Sequence, residues 1–333
     1  MRYLLFLLCL LSQALSAQDT FSIVAVDTLT GEVGSAGASC LDNTQFPGSG
    51  GARIISDVLP GLGVIHTQSY WNTVNQQNAR LKMQEGLSPD QILAWLYAND
   101  AEGLLGRNRR QYGIVRLYNA DTIYNARSAA FTGSTCLNEK AHRTGPGYAI
   151  QGNILISTAV LDSMEQRYLN SSGPLVERLM AALQGANIPG ADSRCLSNGT
   201  SSLSAFIRVA KPGDQLNDLY LDLNVPSLPA GMEPIDSLQR LYNQWQLSDT
   251  RAPKNVRALA VVFPNPASGG VHIDLKIPEA QGVLLDLQGR AVWRGTLRAG
   301  LQHIGPTLPA GVYTLQISAP DGQVWHKQVI WQE

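Results

Sequence analysis

Charge of either sign, paired metal ligands and long apolar runs are all scarce in this chain. Charged residues make up 15% of its 333 residues, and 25 basic against 26 acidic side chains leave a formal net charge of -1. No basic face is therefore available to attract nucleic acid or an anionic membrane, and both are excluded as main partners. Neither a CxxC motif nor a closely spaced histidine pair occurs, so no zinc or other metal site is expected, and nothing calls for a cofactor. Beyond the N-terminal segment no apolar stretch approaches the roughly 20 residues of a membrane-spanning helix. Only 4 cysteines are present.

What is there begins with an address. Met1-Arg2 supplies positive charge, Tyr3 to Leu11 an apolar core, and Ala14 to Ala17 small residues before a cut, the pattern of a secretory signal peptide over residues 1–17. Cys9 leaves with it. Cys40, Cys136 and Cys195 then remain in an oxidising compartment, where two of them are expected to pair and the third to stay free. Three pairings are open. At about 150 residues per domain the length suggests two domains, and 44% hydrophobic residues supply a core for each.

The second domain reads as residues 260–333, after a polar linker at 247–259. Phe263-Pro264-Asn265-Pro266 enforces an extended entry, and short apolar runs are then broken by turns at Gly269-Gly270, Gln288-Gly289, Pro309-Ala310-Gly311 and Asp321-Gly322. Short strands at this spacing predict a small Ig-like β-sandwich. The blocks Phe-Pro-Asn-Pro-Ala, Leu285 to Arg290 and Leu308 to Tyr313, with a last strand at the chain end, resemble the type IX secretion C-terminal sorting domain. That resemblance implies the type IX secretion machinery as a partner. It also implies passage through the periplasm to the outer cell surface or the medium.

Residues 18–246 mix strand pairs with helix pairs. Phe21 to Asp27 and Val33 to Ser39 form a hairpin, Leu62 to Gln68 a further strand, and Gln111 to Leu117 with Arg127 to Thr132 another pair. Helices are predicted at Thr73 to Glu85, from Ser88 with a Ser88/Gln91 capping box, at Ile154 to Leu169, at Pro174 to Gln184, and from Ile235 to Trp245. Ser202 to Val209 and Tyr220 to Leu223 add a last hairpin. Without βαβ alternation the fold class is α+β, as a layered α-β-β-α sandwich or, alternatively, an ordinary two-layer domain.

Candidate chemistry concentrates at glycine-rich turns. Between Phe131 and Leu155 the turn Gly133 to Cys136, His142, Arg143, Gln151 and Asn153 offer backbone amides, a cation and amide donors at a predicted helix start, suited to an anion or a polarised carbonyl. His66, Gln68 and Tyr70 alternate and are expected on one strand face. Asp192 and Arg194 are expected to pair on a loop.

Thr20 to Ala25, Thr67 to Tyr70, Ala130 to Gly133, Gly145 to Leu155 and Asp192 to Arg194 together resemble the domain of unknown function 1028 family over roughly Thr20 to Gln246. That resemblance implies an N-terminal nucleophile hydrolase-like fold, with Thr20 at the position of the family's leading threonine. In such a fold the side chain of the first mature residue attacks a carbonyl while its free α-amine takes the proton. Arg53 or Arg194 is the cation expected to help lower the amine pKa. Signal cleavage after Ala17 would leave Gln18-Asp19 ahead of Thr20, so this chemistry needs a second trimming.

The expected function is hydrolysis of an amide or related acyl bond in a small molecule, peptide or cell-wall fragment. The alternative is a non-catalytic secreted or surface protein that binds such a ligand with the same pocket. A homo-oligomer is compatible with either. Deleting Val261 to Glu333 should leave folded protein in the periplasm, measured by fractionation; undiminished release of the truncated chain would contradict the address.

Overall fold

The computed structural model describes residues 20–120, 123–249, 260–264, 267–286, 290–320 and 324–332. The signal peptide at 1–17, Gln18-Asp19, most of the linker, Asn265-Pro266 and the turns Gln288-Gly289 and Asp321-Gly322 lie outside these residues. After Tyr242 the chain divides into two compact units.

In the first unit the chain runs β1 (Thr20–Val26), β2 (Val33–Ser39), β3 (Ser56–Leu59), β4 (Gly63–Gln68), α1 (Thr73–Gln84), α2 (Pro89–Ala98) and α3 (Gly103–Arg107). It continues with β5 (Gln111–Ala120), β6 (Ile123–Thr132), β7 (Ala141–Gly145), β8 (Tyr148–Gly152), α4 (Ala159–Asn170) and α5 (Leu175–Gly185). Next come β9 (Ser204–Ala210), β10 (Leu221–Val225) and α6 (Pro234–Asp249), within which the boundary after Tyr242 falls. The class is mixed α/β, with one six-stranded antiparallel sheet in the order β10-β9-β2-β1-β8-β7 and one four-stranded sheet in the order β3-β4-β5-β6.

Alternation explains how the sheets meet. Val24 and Val26 of β1, Val33 of β2 and Ala149 of β8 share one buried cluster with Val58, Val64 and Val115 of the other sheet. Even-numbered residues of β1 therefore face the second sheet and odd-numbered ones face away. On that far side β2 carries Gly34, Ala36 and Ala38, small enough for α5 to approach closely: a Cβ on Gly34 would lie 2.9 Å from Leu179. The outer face of the four-stranded sheet packs Ile65, Tyr112 and Ile114 against Ala79 and Met83 of α1 and Ile92 and Leu96 of α2. Ser88 opens α2 through the expected capping box with Gln91.

Two expectations are corrected here. The stretch 141–152, read as glycine-rich turns, is the strand pair β7-β8 about Gly147, which has φ 78, and β8 lies between β1 and β7. Five residues following two glycines and a proline are too short a run to announce a strand, yet every one of them is buried. Consequently Gln151 and Asn153 are not at a helix start. Ile154 turns into the left-handed region at φ 51, and α4 begins only at Ala159. The short β3 and α3 gave no signal either.

The second unit, from Asn243, contains β11 (Ala260–Phe263), β12 (Ala267–Ser268), β13 (Val271–Leu285), β14 (Ala291–Ile304), β15 (Gly311–Ser318) and β16 (Val324–Gln332). They hydrogen-bond in the order β11-β13-β15-β16-β12, with β14 also on β13, into one sheet that is nearly barrel-like. Its core includes Val271, Ile273, Leu284, Leu315, Ile317 and Val329.

The cysteine pairing is settled: Cys40 bonds to Cys195 across 155 residues, and Cys136 is a buried thiol. The bridge ties the end of β2 to the loop carrying Asp192. Replacing both cysteines by serine should lower unfolding free energy by roughly 2–5 kcal/mol in urea titrations; unchanged stability would show that the loop is held without it.

Candidate functional site

Beyond its valines, the layer between the two sheets turns polar. Thr20 and Ser22 continue the inner face of β1, His66 and Gln68 that of β4, Gln111 that of β5 and Gln151 that of β8. All six side chains are buried. Each unmade hydrogen bond in such a place costs about 1–3 kcal/mol, so the layer must satisfy itself.

It does so largely through amides. Gln68 Nε2 donates to the Thr20 carbonyl at 3.0 Å and to Gln111 Oε1 at 2.8 Å, while Gln68 Oε1 accepts from Ser22 Oγ at 2.5 Å. Gln151 Nε2 donates to Ser22 Oγ at 2.7 Å and lies 3.3 Å from His66 Nδ1. Asn153 Nδ2 donates to Gln111 Oε1 at 3.2 Å, and its backbone N–H to the Thr20 carbonyl at 3.3 Å. Gln111 Nε2 reaches Thr132 Oγ1 at 2.9 Å, whose hydroxyl meets His142 Nδ1 at 2.9 Å. Gly113 is what makes room, since a Cβ there would stand 2.0 Å from Gln151 Oε1.

Four atoms of this assembly are buried with no hydrogen-bond partner: Thr20 Oγ1, Asn153 Oδ1, Gln151 Oε1 and His66 Nε2. The backbone is bent on both sides of the site. Ser69 and Tyr70 are left-handed at φ 53 and 55, directly after Gln68, and Ile154 follows Asn153 at φ 51. Non-glycine residues hold that conformation only under constraint. Here the buried Arg110 donates to the Tyr70 carbonyl while paired with Asp100 at 2.9 Å.

The Thr20 side chain lies against a cavity of about 10 Å³, lined also by Ser39, Leu41, Phe46, Ser49 and Ile54. That is room for about one water molecule. Thr20 itself is 1% exposed. In this state the hydroxyl is closed off from solvent.

Several candidates stand elsewhere. Tyr70 has left the strand face of His66 and Gln68, and its ring lies under the Arg109 guanidinium at 4.6 Å. His142 is exposed on the edge strand β7 and touches only the outer end of the network; burial of its inner side, then the neighbouring Arg143, lower its pKa. Arg143 pairs with Asp162 at 2.7 Å. Asp192 is fully buried, accepts from the Cys40 N–H at 2.8 Å and pairs with Arg194 at 2.7 Å, beside the disulfide. The Gly133 to Cys136 turn is bonded to Asn108 and Arg110. Gln111 and Ser22 were not among the expected site residues; a glutamine opening a mostly apolar strand was the available signal.

No curated protein matches the chain. The family model described as "Family of unknown function (DUF1028)" matches residues 20–237, and the model of the secretion system C-terminal sorting domain matches residues 261–331. A solved structure of protein SPO2555 from Silicibacter pomeroyi, a DUF1028 protein, is similar at 24% identity and a TM-score of 0.51, over 68% of this chain and 88% of that one. This supports the fold alone. PorZ, a surface component of the type IX secretion system of Porphyromonas gingivalis, aligns at 9% identity and a TM-score of 0.21 over 68% of this chain and 38% of its own. Among the described residues no helix is long and apolar enough to cross a membrane.

Burial, then the charge of Arg208, lowers the His66 pKa from 6.5 to about 3. The unfolded chain therefore binds a proton below pH 6.5 that the folded one refuses until about pH 3. This contribution to stability is full above pH 6.5 and shrinks as pH falls through that window, at about 1.4 kcal/mol per pH unit. Between pH 7.5 and 5 the native chain should lose about 2 kcal/mol more in urea titrations than His66→Gln; parallel losses would place His66 outside this account.

Proposed function

This chain belongs to the DUF1028 family of unknown function, and from that premise we propose that it is an exported hydrolase of amide or related acyl bonds whose reacting group is Thr20. The sorting domain marks it for the outer cell surface or beyond. The observation that carries the proposal is the Thr20 hydroxyl: a buried oxygen without a partner, on a residue whose carbonyl is gripped by both Gln68 and Asn153. Stability alone favours filling or pairing such an oxygen, so its isolation supports a chemical role.

The sheet contacts support an N-terminal nucleophile type of layering, with α1 and α2 on one sheet, α5 on the other, and β1 central in its own. In the proposed reaction, removal of the residues before Thr20 frees its α-amine. The amine takes the proton of Oγ1 as that oxygen bonds to the substrate carbonyl carbon, and passes it to the departing nitrogen when the C–N bond breaks. Water then releases the acyl group from Thr20. The carboxamide of Asn153, whose Oδ1 has no partner and whose backbone N–H already holds the Thr20 carbonyl, is the proposed donor for the transient oxyanion once its amide turns over. Gln68 and Gln111 act as positioning residues.

The second reading, a ligand-binding protein without turnover, draws on the deep burial of Thr20. Mass spectrometry of the released protein separates the two. Thr20 as the first residue, with Thr20→Ala folding normally but losing at least about 100-fold in amide turnover, fits the hydrolase. A mature chain that still begins before Thr20 and nevertheless turns over overturns it.

A further inference from the structure

A second opening lies beside the Thr20 cavity. It is a cleft of about 370 Å³ whose walls include Arg53, Arg80, Arg208, Asp57 and Gln76, and it shares Ser49 and Ile54 with the Thr20 pocket. Three different elements supply the arginines: the 3-10 turn Gly51–Ile55, α1 and β9. Packing alone does not require them to converge.

Their bonding leaves capacity. Arg53 Nη2 reaches Asp222 at 2.6 Å and Arg80 Nη2 reaches Asp57 at 2.5 Å, while both side chains stay 41% exposed. A guanidinium carries five N–H donors in a fork that matches a carboxylate, so each keeps donors beyond its aspartate. Arg208 is deeper and held in place, donating to the Ser56 carbonyl at 2.8 Å and to Asp222 at 3.3 Å. Set against Asp57 and Asp222, the three cations leave one positive charge in excess. That balance suits a monoanion better than a dianion. The volume falls at the lower end of the roughly 300–1,000 Å³ of small-molecule sites, which excludes a long polymer within it.

We infer that this cleft is the recognition subsite for a free carboxylate on the ligand handled at Thr20, the class being short peptides or acylated amino acids. Its link to turnover rests on the reading of Thr20 as the reacting group; binding of the carboxylate stands on the arginines. Ser49 and Ile54, common to both openings, are the partition such a ligand would span. A further connection runs inward. Ser56, held by Arg208, is the cross-strand partner of His66, which meets Gln151 in the polar layer.

The test uses the secreted full chain carrying Thr20→Ala, so that no turnover consumes the probe. N-acetylated tripeptides are offered as free acids and as C-terminal amides, with inorganic phosphate as competitor, and binding is read by ligand-observed NMR and calorimetry. The acids should bind at least tenfold more tightly than the amides, and Arg53→Gln and Arg80→Gln should each erase most of that difference while thermal unfolding stays within a few degrees. Equal affinity for acid and amide overturns the inference, as does absence of saturable binding by either. Displacement of the acids by phosphate at lower concentration than by acetate would make it a phosphate site and also overturn it. The comparison of acid with amide on the parent protein decides the matter even if an arginine variant fails to fold. Binding retained without any turnover by the native chain would count against the hydrolase and leave this subsite standing.

Discussion

Between the two sheets of the first unit, a single layer changes character along its length. At one end Val24, Val64, Val115 and Ala149 make an ordinary apolar core; at the other, Ser22, Gln68, Gln111, Gln151 and Asn153 hold one another by their amides. Such a layer is costly to leave incomplete, because each buried amide atom left unbonded costs more than a typical hydrogen bond contributes, and the four atoms it does leave unpartnered gather around Thr20, His66, Gln151 and Asn153. The constraint propagates outward. It requires Gly113, where any side chain would collide with Gln151, and it fixes the ends of β4 and β8, where the chain bends through left-handed residues once its glutamine or asparagine has been delivered. Thr20 lies at the boundary of this layer, with its carbonyl inside the network and its hydroxyl outside it.

Export chemistry and site architecture meet at β2. Ser39 pairs with Thr20 in the sheet, Cys40 follows it, and the disulfide to Cys195 together with the Asp192 contact to the Cys40 N–H anchors that strand end. An oxidising destination therefore supports the geometry around Thr20 directly. The sorting domain and the disulfide agree about the compartment, from independent parts of the chain.

Much of this was legible in the residues. The β1-β2 hairpin, the α1-α2 pair with its Ser88 cap, and the β9-β10 hairpin follow from local alternation and capping, which depend on neighbours in sequence. Both family resemblances rested on ordered motifs and were matched. What escaped depends on distant neighbours. Tyr148 to Gly152 looks like a loop because its burial comes from β1 and β7 on either side. Gln111 and Ser22 look like fillers because their partners lie 43 and 46 residues away. Tyr70 breaks the alternation begun at His66 because Arg110 holds its carbonyl in a turn that spacing does not announce. Asp192 and Arg194 pair as their spacing suggested, beside the disulfide.

The central claim is that Thr20 Oγ1 is kept free of partners in order to react, and covalent labelling tests it most directly. A β-lactone offered to the secreted protein carries a strained carbonyl that an activated hydroxyl opens, leaving the whole probe on the attacking oxygen as an ester. Peptide mapping of the labelled chain should find one adduct, on Thr20, formed stoichiometrically. Labelling of any other residue, or a chain that stays unlabelled while its mature first residue is Thr20, would contradict the account.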